Sequence, residues 1–161
     1  MTDFLWFEST AKIVYDPRRP GMKRRTEWWC IATVDREITR YYREWIKRER
    51  LNLHDIVHPG DRQTVERFVQ PAWDAHISVI RGEKPKPELM HLWRKHEGEI
   101  VTFRYEHNPR RSKRDDYWTV TVDCPELVDI RKELERPFNW PLHLSVGREN
   151  TALYKTDEDE V

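Results

Sequence analysis

WDAHISVIR (Trp73–Arg81) returns sixty-seven residues later as WPLHLSVGR (Trp140–Arg148), with Trp, His, Ser, Val and Arg in the same places and Leu144 answering to Ile77. A strand sends alternate side chains to opposite faces. His76 and Ser78 therefore share one face and Ile77 and Val79 the other; His143 and Ser145 stand likewise against Leu144 and Val146. Each run predicts a strand with a buried aliphatic face and a face carrying an imidazole and a hydroxyl. Set side by side or across a cleft, the two runs would bring four polar groups together.

The surrounding sequence supplies more strands. FLWFESTAKIVYD alternates as a strand, DPRRPGMKRR reads as a basic loop broken by two prolines, and WWCIATVD (Trp28 to Asp35) reads as a buried strand. Asp35 is placed to cap a helix whose apolar residues Ile38, Tyr41, Tyr42, Trp45 and Ile46 follow helical spacing. HDIVHPGDR is loop-like, and Pro85 and Pro87 lead into a short helix, ELMHLWRKH, closed by Gly98. EIVTFRYEH and DYWTVTVD predict two strands joined by the basic loop NPRRSKRD. Pro125 opens a helix with the stripe Leu127, Ile130 and Leu134. LHLSVGR is the last strand, and KTDEDEV reads as a disordered acidic tail. These short elements, without a Gly-rich phosphate loop, predict an α+β fold with antiparallel pairing rather than a doubly wound parallel sheet.

The totals narrow the function. The 161 residues fit one domain, read as residues 1–150 followed by the tail at 151–161. Lys plus Arg total 29, equal to Asp plus Glu, so no global field steers the chain onto a long polyanion. A small anionic ligand held by a local site remains open, and RRPGMKRR and RRSKR are local positive clusters that would attract one. Two cysteines, Cys30 and Cys124, form no disulfide framework and suit a reducing compartment. No apolar run reaches membrane-spanning length and the start MTDFLWFEST lacks a secretory pattern, so the expectation is a cytoplasmic protein without a membrane partner. Cys30, Cys124, His54, His58, His91 and His96 show no tight ligand spacing, so no metal or other cofactor is expected.

Two imidazoles suit one reaction well. Histidine titrates near neutrality, so one ring can accept a proton while the other donates one. Breaking a phosphodiester needs both acts, and the hydroxyls of Ser78 and Ser145 can donate to the non-bridging oxygens.

His-x-Ser (or Thr) occurring twice, each time on a strand, resembles the 2H phosphoesterase superfamily. The longer pieces FESTAKIVYDPRRPGMKRRTEWWCIATVDREITRYYREW, WDAHISVIRGE and NWPLHLSVGR resemble more narrowly the bacteriophage anti-CBASS nucleases, some of which are labelled Swiss-army-knife RNA repair-like. The resemblance covers roughly residues 8 to 150. It implies a bilobal fold of mostly antiparallel strands with flanking helices, the histidines facing each other across a central cleft. It also implies metal-independent cleavage of cyclic di- and trinucleotide alarm signals in the host bacterial cytosol. In such cleavage the 2′-hydroxyl attacks its own 3′–5′ phosphorus and a 2′,3′-cyclic phosphate forms. His76, Ser78, His143 and Ser145 match the family motif; which histidine is base and which acid is left open.

Other residues are candidate substrate contacts. Trp73 and Trp140, three residues before each histidine, either pack the two halves together or stack on a base. Arg81 and Arg148 fall on the face opposite the histidines if the strands stay regular, but could reach a phosphate from the strand ends. Tyr15 and Tyr154 are candidate base platforms. Two rivals stand beside the cyclic-nucleotide reading: opening of 2′,3′-cyclic phosphates on RNA ends, and a non-catalytic nucleotide sponge. Neither the leading reading nor the sponge needs a long nucleic acid.

Overall fold

Alternating apolar and polar residues in WFESTAKIVY fold as β1 (Trp6–Tyr15), with Ala11, Ile13 and Tyr15 turned to the core. The structure is a computed structural model that describes residues 5–19, 26–50, 68–71, 73–112, 116–138 and 140–149. After β1 come β2 (Trp29–Thr33), β3 (Phe68–Val69), β4 (His76–Arg81), β5 (Ile100–Glu106), β6 (Arg110–Arg111), β7 (Tyr117–Asp123) and β8 (His143–Glu149). The expected HDIVHPGDR loop and the tail lie outside the described residues, as does Tyr154.

The sheet runs β3-β8-β4-β2-β1-β5-β7-β6, and β7 also bonds β8. That pairing closes β8, β4, β2, β1, β5 and β7 into a six-stranded barrel in which each described pairing is antiparallel. Closure gives those six strands a hydrogen-bonded neighbour on both sides. The class is α+β with mostly antiparallel strands, as expected, but the strands form one continuous closed sheet.

Asp35 caps α1 (Arg36–Trp45) as its position predicts, its carboxylate accepting from the Glu37 N–H at 2.9 Å. The helix continues as a π-helical turn, Ile46–Arg50, and packs against β8. Pro125 opens α2 (Pro125–Glu133), where a missing N–H costs nothing. Leu127, Ile130 and Leu134 bury their side chains, each contributing roughly 1.5–3 kcal/mol. This helix packs on β4.

The helix expected over ELMHLWRKH does not form as such. Pro87–Leu92 is a 3₁₀ turn with no buried residue. Trp93 leaves it in an extended conformation, packs edge-on to Tyr15 at 4.9 Å and donates its indole N–H to Asp16. Leu89, Leu92 and Trp93 are half-buried against the core, and the indole's contacts with Tyr15 and Asp16 hold the chain extended where a longer helix would continue. Gly98, with φ of +80°, makes the turn into β5.

Candidate active site

β4 and β8 are neighbours, with Ile77 opposite Leu144. Both side chains are fully buried, while His76, Ser78, His143 and Ser145 on the alternate face are half-buried. Antiparallel register about this pair turns His76 toward the Ser145 side and Ser78 toward the His143 side. All four line one cleft of about 820 Å³.

Each of these strands has its own second partner, and the two partnerships match. On β4, Ser78 and Ile80 oppose the consecutive residues Ile31 and Cys30 of β2, so Val79 is one residue extra. On β8, Ser145 and Gly147 oppose Thr119 and Trp118 of β7, so Val146 is one residue extra. Val79 and Val146 hold the same place in the repeated sequence. A bulge shifts the side-chain alternation by one residue. Arg81 consequently points into the cleft with His76 and Ser78, not to the opposite face that a regular strand would give it.

The β4 bulge is fastened from behind. Arg131 of α2, only 5% exposed, donates Nη1 to the Val79 carbonyl at 2.7 Å and to Glu83 Oε1 at 3.0 Å. It also donates to the Pro137 carbonyl. Glu83 Oε1 accepts from the Arg81 backbone N–H at 3.3 Å. The carbonyl that the bulge withdraws from the ladder thus finds a charged donor, and the next turn of chain is tied to the same pair. Burial opposes ionisation of Glu83, but the Arg131 hydrogen bond holds its carboxyl below the ordinary value. On β8, Gly147 follows the bulge where β4 has Ile80; a side chain there would run into the Phe68 ring.

The histidine environments differ. His76 Nδ1 lies 2.6 Å from the Asp74 carbonyl, which can only accept, so Nδ1 carries a proton and the neutral ring keeps its lone pair on Nε2. Burial pushes the His76 pKa down, the Asp74 carbonyl partly opposes this, and Arg19, Arg81 and His143 add to the depression. The Trp73 ring lies 4.4 Å from the imidazole, and the Arg19 guanidinium covers Trp73 at 4.1 Å. His143 instead has Arg81 Nη2 at 3.3 Å from its Nε2.

Around these groups the cleft is basic and aromatic. Arg110 and Arg111 line it, paired to Glu106 at 3.1 Å and to the buried Glu149 at 2.6 Å. Arg19 and Arg81 also line it, and neither has a carboxylate partner for its side chain among the described residues. The two basic loops of the sequence therefore both reach this cleft, one through Arg19 and the other through Arg110 and Arg111. Thr119 and Thr121 of β7 line it opposite Ser145 and His143. Sequence reading overlooked them, although YWTVTVD alternates Tyr117, Thr119 and Thr121 with the buried Trp118, Val120 and Val122.

The candidate substrate contacts divide. Trp73 and Trp140 both line the cleft, and Trp140 is 54% exposed there, not packed between halves. Tyr15 does not reach the site: it is 2% exposed, and burial, then Cys30, raises its pKa. The alternation of β1 that buries Ala11 and Ile13 buries Tyr15 with them. Arg148 is half-buried and is not among the cleft residues. Comparisons with protein-family models, curated proteins and solved structures gave no match.

Proposed function

We propose that this chain is a metal-independent phosphodiesterase that cleaves cyclic di- or trinucleotides at 3′–5′ linkages and so lets a phage evade CBASS immunity. The observation that carries the reading is that both His-x-Ser runs line one cleft, related about Ile77 and Leu144. On this reading the two lobes of the 2H fold correspond to β4 with β2 and β8 with β7, whose matching bulges support the equivalence.

On this reading the two imidazoles divide the labour. His76, neutral with Nε2 as acceptor, is the base that takes the 2′-hydroxyl proton as the 2′-oxygen bonds to phosphorus. His143 gives a proton to the 5′-oxygen as its bond to phosphorus breaks, leaving a 2′,3′-cyclic phosphate. Ser78 and Ser145 donate to the non-bridging oxygens, and the charge of Arg19 and Arg81, which have no carboxylate partner among the described residues, offsets that of the phosphate. The exposed Trp140 offers a ring face for a base on this reading, while Trp73 is engaged by Arg19 and His76.

The test is incubation with a panel of cyclic di- and trinucleotides in EDTA, followed by chromatography of the products. Linear products carrying 2′,3′-cyclic or 2′- or 3′-phosphates are expected. Turnover only of RNA bearing a 2′,3′-cyclic end would move the assignment to RNA end processing. Binding without any product would make the protein a nucleotide sponge.

A further inference from the structure

The contact between Arg81 and His143 sets a condition on the proposed acid. A guanidinium has donors and no acceptor, so the 3.3 Å approach of Arg81 Nη2 makes His143 Nε2 the acceptor and the ring neutral. An imidazole in that state cannot protonate a leaving oxygen from Nε2. We infer that Arg81 holds His143 unprotonated in the free protein and is drawn away by the substrate phosphoryl group, so that phosphodiester binding arms the acid. This rests on the phosphodiesterase reading and adds a coupling to it.

Three features favour the exchange of partners. Arg81 is exposed and has no carboxylate to hold its side chain among the described residues, whereas Arg110 and Arg111 are each tied to a glutamate. The bulge at Val79, fastened by Arg131 and Glu83, fixes the Arg81 backbone at the cleft while leaving its guanidinium free to turn. An anionic phosphoryl oxygen is also a stronger acceptor for a guanidinium than a neutral imidazole nitrogen.

Among the described residues, the charged and titratable groups lining the cleft with His143 are His76 and Arg81 on β4, Tyr117 on β7, Arg110 and Arg111 on β6, and Arg19 before β2. Helix α1, packed against β8, contributes none to the cleft lining. When Arg81 moves to the phosphate, His143 loses an adjacent cation and gains an adjacent anion. Nε2 then takes a proton from solvent. That proton goes to the leaving 5′-oxygen, while His76 receives the one from the 2′-hydroxyl, so the step conserves protons.

Two measurements test this. In the first, isotope-labelled histidine resonances of the protein, with His143 assigned through His143→Asn, are titrated with and without inorganic phosphate. The His143 titration is expected to move to higher pH with phosphate by on the order of one unit. In Arg81→Met it should already lie high without phosphate and respond less. Arg81→Lys, which keeps the charge, controls for folding and for simple repulsion, and should respond to phosphate more than Arg81→Met does. In the second, pH profiles are compared: kcat/KM reports the free protein and kcat the complex. The alkaline limb of kcat/KM should fall at lower pH than that of kcat, and Arg81→Met should close the gap. A His143 titration that is the same in wild type and Arg81→Met, with and without phosphate, would overturn the inference. Absence of turnover on every substrate would instead remove the phosphodiesterase reading, while the phosphate titration still decides whether Arg81 governs His143.

Discussion

Ile77 of β4 stands opposite Leu144 of β8, and the two His-x-Ser runs are disposed about that single pair. Because both side chains are fully buried, the pair fixes the register. A slip of one residue would turn the histidines into the core and the aliphatic residues to water. The site is therefore held in place by the hydrophobic pattern of the strands that carry it.

Replacement of either histidine by Ala should lower turnover of a susceptible cyclic dinucleotide by about a hundredfold or more, since general acid–base catalysis contributes roughly 10²–10⁴. Both rings are half-buried on the cleft face, so circular dichroism and melting should change little. Parental rates in both single variants would remove these residues from the chemistry.

The pH profile should rise on its acid side at a pH below the ordinary histidine value of 6.5, because burial keeps His76 from protonating. The same shift bears on stability. A folded-state value below the unfolded one means the unfolded chain binds more protons between the two, so stability falls as pH drops through 6.5 toward the folded value. His76→Asn should flatten that part of a melting-temperature series against pH.

His96 works in the opposite sense. Burial alone would lower its value, but hydrogen bonds to Glu133 at 3.0 Å and Glu99 at 2.9 Å raise it. Its stabilisation is therefore fully present below 6.5 and lost as pH climbs through the raised value. Thermal melts of His96→Gln should differ from the parent most in mildly acidic buffer and least in alkaline buffer.

Arg131→Met should destabilise the fold by about 3 kcal/mol, at the low end for a broken buried pair because Glu83 keeps some access to water. Adding Glu83→Gln should recover part of the loss in urea denaturation. Any protein that remains folded should show a raised KM, since the strand end carrying Arg81 loses its fastening.

Gly147→Ala should cost about 1–3 kcal/mol, the usual penalty for overpacking, because the new methyl group meets the Phe68 ring. Phe68→Leu in the same chain should restore part of the melting temperature. No recovery would point to a backbone requirement at the β8 bulge instead of a collision.

Much of this was legible in the chain itself. Period-two alternation located the strands and the faces of His76, Ser78, His143 and Ser145, because burial of one face is a property each segment carries locally. The Asp35 cap and the Leu127, Ile130 and Leu134 stripe were equally local. Closure of the barrel and the adjacency of β4 and β8 were not, because strand pairing joins residues far apart in sequence and leaves no local trace. Nor were the bulges at Val79 and Val146: an extra residue is defined only against a partner strand, and it is that partner which brought Arg81 round to His143. Tyr15 shows the converse, a residue suited to stacking on a base that the core claims because its strand places it beside Ala11 and Ile13.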